Sequence, residues 1–201
     1  MDQKSNVVML HGRWPEKIDG EFIADIPSCD SNYEGNWMGW TKERLEEKGY
    51  SVTCPIIVDA WKASYEEWKR ELDKVTIDEN TILVGLSAGA YALLRWLGES
   101  GEKVKKVILI APASKRMLDN PNRDKAPQEE EFYSSEIMPG LKSQIQERVV
   151  IIVSNDDYAD ILQSAELFKE VLDAKVIRLD GLGHFSFLIK TLPELVEEIM
   201  K

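Results

Sequence analysis

Six short runs of the sequence are mostly apolar and rich in valine and isoleucine, and this repetition restricts the fold more than any other feature. The runs are continuous, whereas strands that are exposed on one face alternate apolar and polar residues. Continuous runs of this length are typical of parallel strands that are buried on both faces of a sheet. The predicted strands cover residues 7–10, 51–54, 81–86, 107–111, 149–154 and 175–179.

Helical patterns lie between these runs. In the second of them, Trp61, Tyr65 and Trp68 recur at helical spacing and form one apolar stripe. Strands that alternate with helices predict a doubly wound α/β sheet with three layers, in which helices cover both faces. The helices are predicted over residues 37–48, 60–74, 88–97, 160–172 and 193–201, with Gly49 and Gly98 ending the first and the third.

Two long segments interrupt this alternation, at residues 11–36 and 114–140. Both contain several prolines and glycines and are expected to be irregular loops. Each follows the carboxyl end of a predicted strand, which is where open α/β sheets bind ligands. Long loops in a compact domain are often functional, so 114–140 is a candidate lid over a site.

The composition favours one domain over residues 1–201, without a separate cap domain. A formal net charge of −11 argues against nucleic-acid binding, because it repels phosphate. The sequence contains neither a signal-peptide core nor a membrane span, so a soluble, cytoplasmic protein is expected. Cys29 and Cys54 match neither a zinc-ligand spacing nor a disulfide framework, so free thiols and no metal are expected.

The motif at residues 85–89, Gly-Leu-Ser-Ala-Gly, is the most specific chemical signal. It follows a predicted strand and opens a predicted helix, which is the setting of a nucleophile elbow. Ser87 would occupy the tight turn, and Gly85 and Gly89 would flank it because a β-carbon there would collide across the turn. Ala88 would offer a free N–H group at the helix N-terminus beside the serine. Ser87 is therefore the predicted nucleophile.

A serine needs a base, and the sequence holds only two histidines, His11 and His184. His184 follows the last predicted strand and fits the chain order serine, acid, histidine of α/β-hydrolases. The acid should follow the fifth strand, where Asp156 and Asp157 are adjacent. Two neighbouring aspartates cannot both face one imidazole; Asp157 is preferred and Asp156 is the alternative.

The end of the first strand reads His11-Gly12-Arg13-Trp14. In an acyl-transfer enzyme this loop supplies the second oxyanion donor, so the Arg13 N–H is predicted to pair with that of Ala88. His11 would then be a positioning residue. Three tryptophans are candidate pocket-lining residues, although a core position is favoured for them: Trp14, Trp37 and Trp40.

Taken together, these residues resemble the α/β-hydrolase superfamily over nearly the whole chain. Within it, the sequence resembles the small serine hydrolases of the retinoblastoma-binding protein 9 and YdeN type. The similar segments are the tryptophan-flanked helix at 37–45, Ser-Asn-Asp-Asp at 154–157, whose second aspartate is the triad acid in that family, and Gly-His-Phe at 183–185. The sequence departs from the family at Leu86 and Tyr158, where histidine and proline are common.

The resemblance implies a serine hydrolase with a Ser87–Asp157–His184 triad and no cofactor. The expected reaction is hydrolysis of a carboxylic ester of a small molecule, with thioesters and amides as alternatives. A second class of function is a protein-interaction module on the same fold with little or no catalysis. A flavodoxin-like nucleotide binder is disfavoured, because no glycine-rich phosphate loop follows the first strand.

Overall fold

Six parallel strands form one sheet in the computed structural model, which describes residues 5–18, 21–22, 36–119, 125–136, 139–186 and 188–201. The strands are β1 (Asn6–Leu10), β4 (Ser51–Thr53), β5 (Ile82–Leu86), β6 (Lys106–Ile110), β7 (Val150–Ser154) and β8 (Lys175–Leu179). Their order is β4-β1-β5-β6-β7-β8, and all five neighbouring pairs are parallel. The predicted parallel α/β sheet is confirmed, with a strand at each of the six apolar runs.

The chain reverses its direction across the sheet between β1 and β5. Helix α1 (Trp37–Glu47) joins β1 to β4 on one side, whereas α3 (Ala88–Ser100) joins β5 to β6 on the other. Because such crossovers are right-handed, opposite directions put α1 and α3 on opposite faces of the sheet. A ligand site is expected at the carboxyl ends of β1 and β5, where this reversal occurs.

The remaining helices complete the two layers. Helix α6 (Pro193–Met200) packs on α1, and α2 (Tyr65–Leu72) packs on α3. Helix α5 (Ala159–Leu172) joins β7 to β8 and contacts both strands. No helix within the described residues has the length and apolar character needed to cross a membrane.

Two predicted helix boundaries are wrong, and local backbone geometry explains both. The helix predicted over 60–74 is broken: a 3-10 helix at Ala60–Lys62 ends at Ala63, which has a φ of +51°, and α2 begins after Ser64. Helix α3 runs past Gly98 to Ser100, because Gly98 does not take the left-handed conformation that ends a helix. Gly101, with a φ of +73°, ends the helix instead.

The two long segments contain regular structure where irregular loops were expected. In the first, β2 (Lys17–Ile18) and β3 (Glu21–Phe22) form a small antiparallel ladder. The second contains 3-10 helices at Lys115–Asp119 and Pro139–Gln144, and a short helix α4 (Glu129–Phe132). Phe132 and Tyr133 are buried against Tyr91 of α3. In its described part, the candidate lid is thus anchored to the core, and its movement over a site stays a prediction.

The expectation of free thiols is wrong for Cys54, which lies directly after β4. Cys54 is disulfide-bonded. The other cysteine of the sequence, Cys29, lies outside the described residues. The cysteine spacing could not predict this bond, because the spacing of a single pair of cysteines does not distinguish free thiols from a disulfide.

Candidate active site

Ser87 occupies a strained turn between β5 and α3. Its backbone has a φ of +53° and a ψ of −117°, a conformation that residues other than glycine rarely adopt. Backbone hydrogen bonds hold it there: its N–H donates to the Ile110 carbonyl at 2.9 Å, and its carbonyl accepts from the Ala113 N–H at 3.1 Å. The side chain of Ser87 is thereby directed out of the strand at the carboxyl edge of the sheet.

The glycines around Ser87 permit a close approach of three backbone segments. A β-carbon on Gly85 would lie 2.6 Å from the Cα of Ala90, and one on Gly89 would lie 2.2 Å from the carbonyl oxygen of His11. Both distances are shorter than any van der Waals contact, so these positions require glycine. The end of β1 therefore lies directly against the first turn of α3.

The imidazole of His184 connects the serine with an aspartate. Its Nε2 lies 2.9 Å from the Ser87 Oγ, across 97 positions of sequence. Its Nδ1 lies 2.9 Å and 3.2 Å from the two carboxylate oxygens of Asp157. The Asp157 side chain is fully buried, whereas that of His184 is 29% exposed. The three side chains predicted as a triad are thus within hydrogen-bond distance, an arrangement suited to nucleophilic catalysis.

Asp156, the alternative acid, faces away from the imidazole and contacts the histidine turn, which we define as residues 181–185. Its carboxylate accepts N–H groups of Gly181 at 3.1 Å and of Gly183 at 3.3 Å, as well as the hydroxyl of Ser154. The Ser154 hydroxyl, followed by these backbone N–H groups, lowers the pKa of the Asp156 carboxyl. The Ser154 Oγ also accepts the Leu182 N–H at 3.1 Å.

His11 lies at the end of β1 and is completely buried. Its Nδ1 lies 2.7 Å from the Gly12 carbonyl oxygen and must carry a hydrogen, and its Nε2 accepts the Ile57 N–H at 2.9 Å. Burial lowers the pKa of His11 to about 4, although the bond to Gly12 opposes this shift. Both nitrogens are occupied by the protein itself, so His11 is a neutral residue that joins the loops after β1 and β4.

The predicted oxyanion donors belong to segments that lie close to Ser87. Ala88 is the first residue of α3, so its N–H has no partner within the helix. Gly12 is adjacent to the nucleophile, since a β-carbon on it would lie 3.2 Å from the Cβ of Ser87. The next N–H group along the chain is that of Arg13. It shares a trans peptide group with the Gly12 carbonyl, so the N–H and the carbonyl point in opposite directions.

The three candidate pocket tryptophans differ in exposure. Trp14 and Trp40 are half-buried, and Trp40 packs against the core. Trp37 is only 2% exposed, and its indole N–H donates to the Phe185 carbonyl at 3.0 Å. Trp37 therefore holds the histidine turn rather than facing an open space. This contact joins residues 148 positions apart, and nothing in the local sequence signals it.

The parallel sheet and the arrangement of these side chains at its carboxyl edge define the class: the fold is that of an α/β-hydrolase, as the sequence resemblance implied. The model of the family described as "Serine hydrolase" matches residues 26–188. The chain belongs to this serine hydrolase family. The comparison with curated proteins gave no match.

Solved structures with the same fold cover nearly the whole chain. The ydeN gene product of B. subtilis has a TM-score of 0.74 and 20% sequence identity, over 98% of this chain and 97% of that one. Est1E from Butyrivibrio proteoclasticus has a TM-score of 0.67 and 13% identity, over 100% and 88%. Naproxen esterase from Bacillus subtilis has a TM-score of 0.60 and 13% identity, over 100% and 84%. At these identities the likeness concerns the fold.

Proposed function

We propose that the protein hydrolyses a carboxylic ester of a small molecule through an acyl-enzyme intermediate on Ser87. The observation that carries this proposal is the 2.9 Å contact between the His184 Nε2 and the Ser87 Oγ, with Asp157 on the other ring nitrogen. The membership of the serine hydrolase family supports it. Est1E and naproxen esterase carry esterase names, which agrees with an ester as the substrate.

In the first half of the proposed reaction, the Ser87 Oγ attacks the ester carbonyl carbon while the His184 Nε2 takes the hydroxyl proton. Asp157 accepts the Nδ1–H of His184, which keeps the imidazole in the correct tautomer and stabilises its protonated form. The negative charge that develops on the carbonyl oxygen is stabilised by the N–H groups of Ala88 and Arg13. The positive end of the α3 dipole adds to this stabilisation.

The second half releases the products. The protonated His184 gives its proton to the leaving alcohol as the bond between the carbonyl carbon and the alkoxy oxygen breaks, which leaves an acyl ester on Ser87. A water molecule then attacks this ester, and His184 again takes and returns the proton. The carboxylic acid leaves and Ser87 is regenerated. The same groups could cleave thioesters or amides, so the choice of ester is part of the proposal.

A fluorophosphonate probe tests the nucleophile, because it phosphonylates only an activated serine. Wild-type protein should be labelled and should hydrolyse p-nitrophenyl acetate. Ser87→Ala should lose the label and at least about 1,000-fold of the activity. Ser143→Ala, at an exposed serine in the 3-10 helix Pro139–Gln144, is the matched control and should change neither.

Failure of the folded wild type to react with the probe would contradict the proposal and favour the interaction-module alternative. Labelling that persists in Ser87→Ala would move the nucleophile to another serine. Comparison of p-nitrophenyl acetate with a matched thioester and anilide tests the bond type. An ester rate that is not the highest of the three would overturn the choice of substrate.

Two further expectations from the sequence remain proposals. The first is a single domain over residues 1–201, which is supported by the one sheet that unites the strands from β1 to β8, apart from β2 and β3. The second is a cytoplasmic location, and the disulfide at Cys54 makes it testable: because disulfides are rare in the reducing cytosol, a Cys54 that stays oxidised in intact cells would contradict it. Cell fractionation combined with alkylation of free thiols tests the location.

A further inference from the structure

We propose that Asp156 is a positioning residue that, together with Ser154, holds the histidine turn so that His184 reaches both Asp157 and Ser87. We call this pair of side chains the Ser154–Asp156 clamp. The inference rests on the proposed function, because that function makes His184 the base that takes the proton of Ser87. It assigns to Asp156, the first aspartate of the adjacent pair, a role different from that of the acid.

Three consecutive backbone N–H groups of the histidine turn point at the clamp. Asp156 accepts those of Gly181 and Gly183, and Ser154 accepts that of Leu182 between them. Successive N–H groups that converge in this way form a concave anion-binding nest. Here the anion is a carboxylate of the protein itself. The pKa of Asp156, which lies below its usual range, keeps that carboxylate charged at neutral pH.

The backbone of the turn needs such an anchor. Gly181 and Gly183 have φ values of +75° and +49°, and no atom outside their immediate neighbours lies within 4 Å of the position of a β-carbon. Their conformation is therefore not enforced by surrounding side chains. Glycines have the largest conformational freedom to lose on ordering, so an unanchored turn would sample many positions of the imidazole.

The clamp also connects the segment that carries Asp157 with the segment that carries His184. Asp157 directly follows Asp156, and His184 directly follows Gly183, so the bond between Asp156 and Gly183 fixes two adjacent segments side by side. A second link, from the Asn155 side chain to Asp180 at 2.8 Å, lies further from the imidazole. The distance between Asp157 and His184 Nδ1 is thus set by contacts of their immediate neighbours.

The experiment compares substitutions at the two adjacent aspartates with p-nitrophenyl acetate as the substrate. Asp157→Asn should lower kcat by about 10,000-fold, as expected for the loss of a triad acid. Asp156→Ala should lower kcat by about 10- to 100-fold with little change in KM, because the imidazole is misplaced but still present. Asp156→Asn keeps an acceptor oxygen and should restore kcat to within about fivefold of wild type.

Asp180→Asn is the matched control, because it removes a nearby negative charge, keeps an oxygen that can accept the Asn155 amide and touches none of the N–H groups of the turn. It should leave kcat unchanged. The proton on the His184 Nδ1 provides a second readout by NMR. Its downfield signal should be sharp in wild type and Asp156→Asn, and broadened in Asp156→Ala by motion of the turn.

A wild-type kcat and a sharp signal in Asp156→Ala would overturn the clamp. Equal losses of about 10,000-fold in Asp156→Ala and Asp156→Asn would overturn it too, and would identify Asp156 as the acid. Should Asp156→Ala fail to fold, Ser154→Ala removes the acceptor of the Leu182 N–H and the hydroxyl that donates to Asp156, and it should lower kcat by about threefold to tenfold; an unchanged kcat there contradicts the clamp. Labelling of Ser87 in wild type tests the proposed function independently.

Discussion

The two histidines lie at carboxyl ends of strands of the same sheet, in turns that contain glycine, and their surroundings differ in every respect. His11 follows β1, an inner strand of the sheet, is fully buried and has both ring nitrogens bound to backbone groups. His184 follows β8 at the edge, is part-exposed and has both nitrogens bound to side chains. The partners, and not the residue type, decide which imidazole can exchange a proton during a reaction.

The two histidines differ in the group that contacts their Nε2 atom: a backbone N–H for His11 and a serine hydroxyl for His184. The Ile57 N–H can only donate, so protonation of His11 would place two donors face to face. The Ser87 hydroxyl can both donate and accept, so His184 can take its proton and keep the contact. His11 is therefore suited to holding loops, and His184 is suited to acid–base catalysis.

The sharpest test of this contrast, with the largest expected effect, replaces each histidine in turn. His184→Ala should lower kcat at least about 1,000-fold with a small change in stability, because it removes the base from a part-exposed site. His11→Leu should lower kcat less than about tenfold but the free energy of unfolding by about 2 kcal/mol or more, since the Ile57 N–H loses its acceptor. Steady-state kinetics and urea denaturation measure both. The reverse pattern would exchange the roles of the two histidines.

The pH dependence of stability provides a test of intermediate size. The pKa of His11 is lowered to about 4 in the folded protein, against about 6.5 in the unfolded chain. Between these values the unfolded chain binds the proton that the folded protein excludes, so stability falls as the pH decreases. The loss between about pH 7 and about pH 4 should be about 3 kcal/mol from this residue.

Urea denaturation at several pH values, in wild type and His11→Leu, isolates this contribution. The carboxylates with lowered pKa values, such as Asp156 and Asp173, also destabilise the folded protein in acid, and they are present in both proteins. The free energy of unfolding of wild type should therefore fall by about 3 kcal/mol relative to that of His11→Leu as the pH decreases over this range. A constant difference would show that folding does not lower the pKa of His11.

The smallest expected effect concerns the contact that anchors the far end of the histidine turn. Trp37→Phe removes the indole N–H that binds the Phe185 carbonyl but keeps most of the buried ring. Stability should fall by about 1 kcal/mol and kcat by a factor of about two to five, because the turn keeps its other anchors.

Trp96→Phe is the control for this substitution. Trp96 is also buried, and its indole N–H donates to Asp73 at 2.8 Å, but this bond lies at the other end of α3 from Ser87. It should cost similar stability and leave kcat unchanged. Equal effects of the two substitutions on kcat would show that Trp37 acts through stability alone.

The sequence predicts the sheet well because strands buried on both faces leave a strong local signal. The strands β5, β6 and β7 are completely buried, and their runs of valine, isoleucine and leucine are unambiguous. The elbow is also readable, because the motif shows both glycines, although only the contacts that demand Gly85 lie within or next to it and those that demand Gly89 come from the end of β1. The chain order of serine, acid and histidine then leaves one candidate base.

The misses arise where the decisive contact is distant in sequence or lies in the backbone. The break at Ala63 depends on a positive φ, which an alanine in the sequence does not indicate. The end of α3 depends on which glycine takes a positive φ, and the local sequence does not distinguish Gly98 from Gly101. The difference between Asp156 and Asp157 depends on which of two neighbouring side chains the loop backbone turns towards the imidazole, and both residues have the same chemistry.

The position of β8 determines how local unfolding would separate His184 from Ser87. This strand pairs only with β7 and is partly exposed along its length, whereas the strand that leads to Ser87 has a neighbour on each side. Edge elements with few buried contacts open more readily than the centre of a domain. Local opening at this edge would carry the base away while the nucleophile keeps its geometry. With the proposed triad, turnover requires the sheet to be folded from β5 to the edge at β8, whereas the strained turn at Ser87 requires only the middle of the sheet.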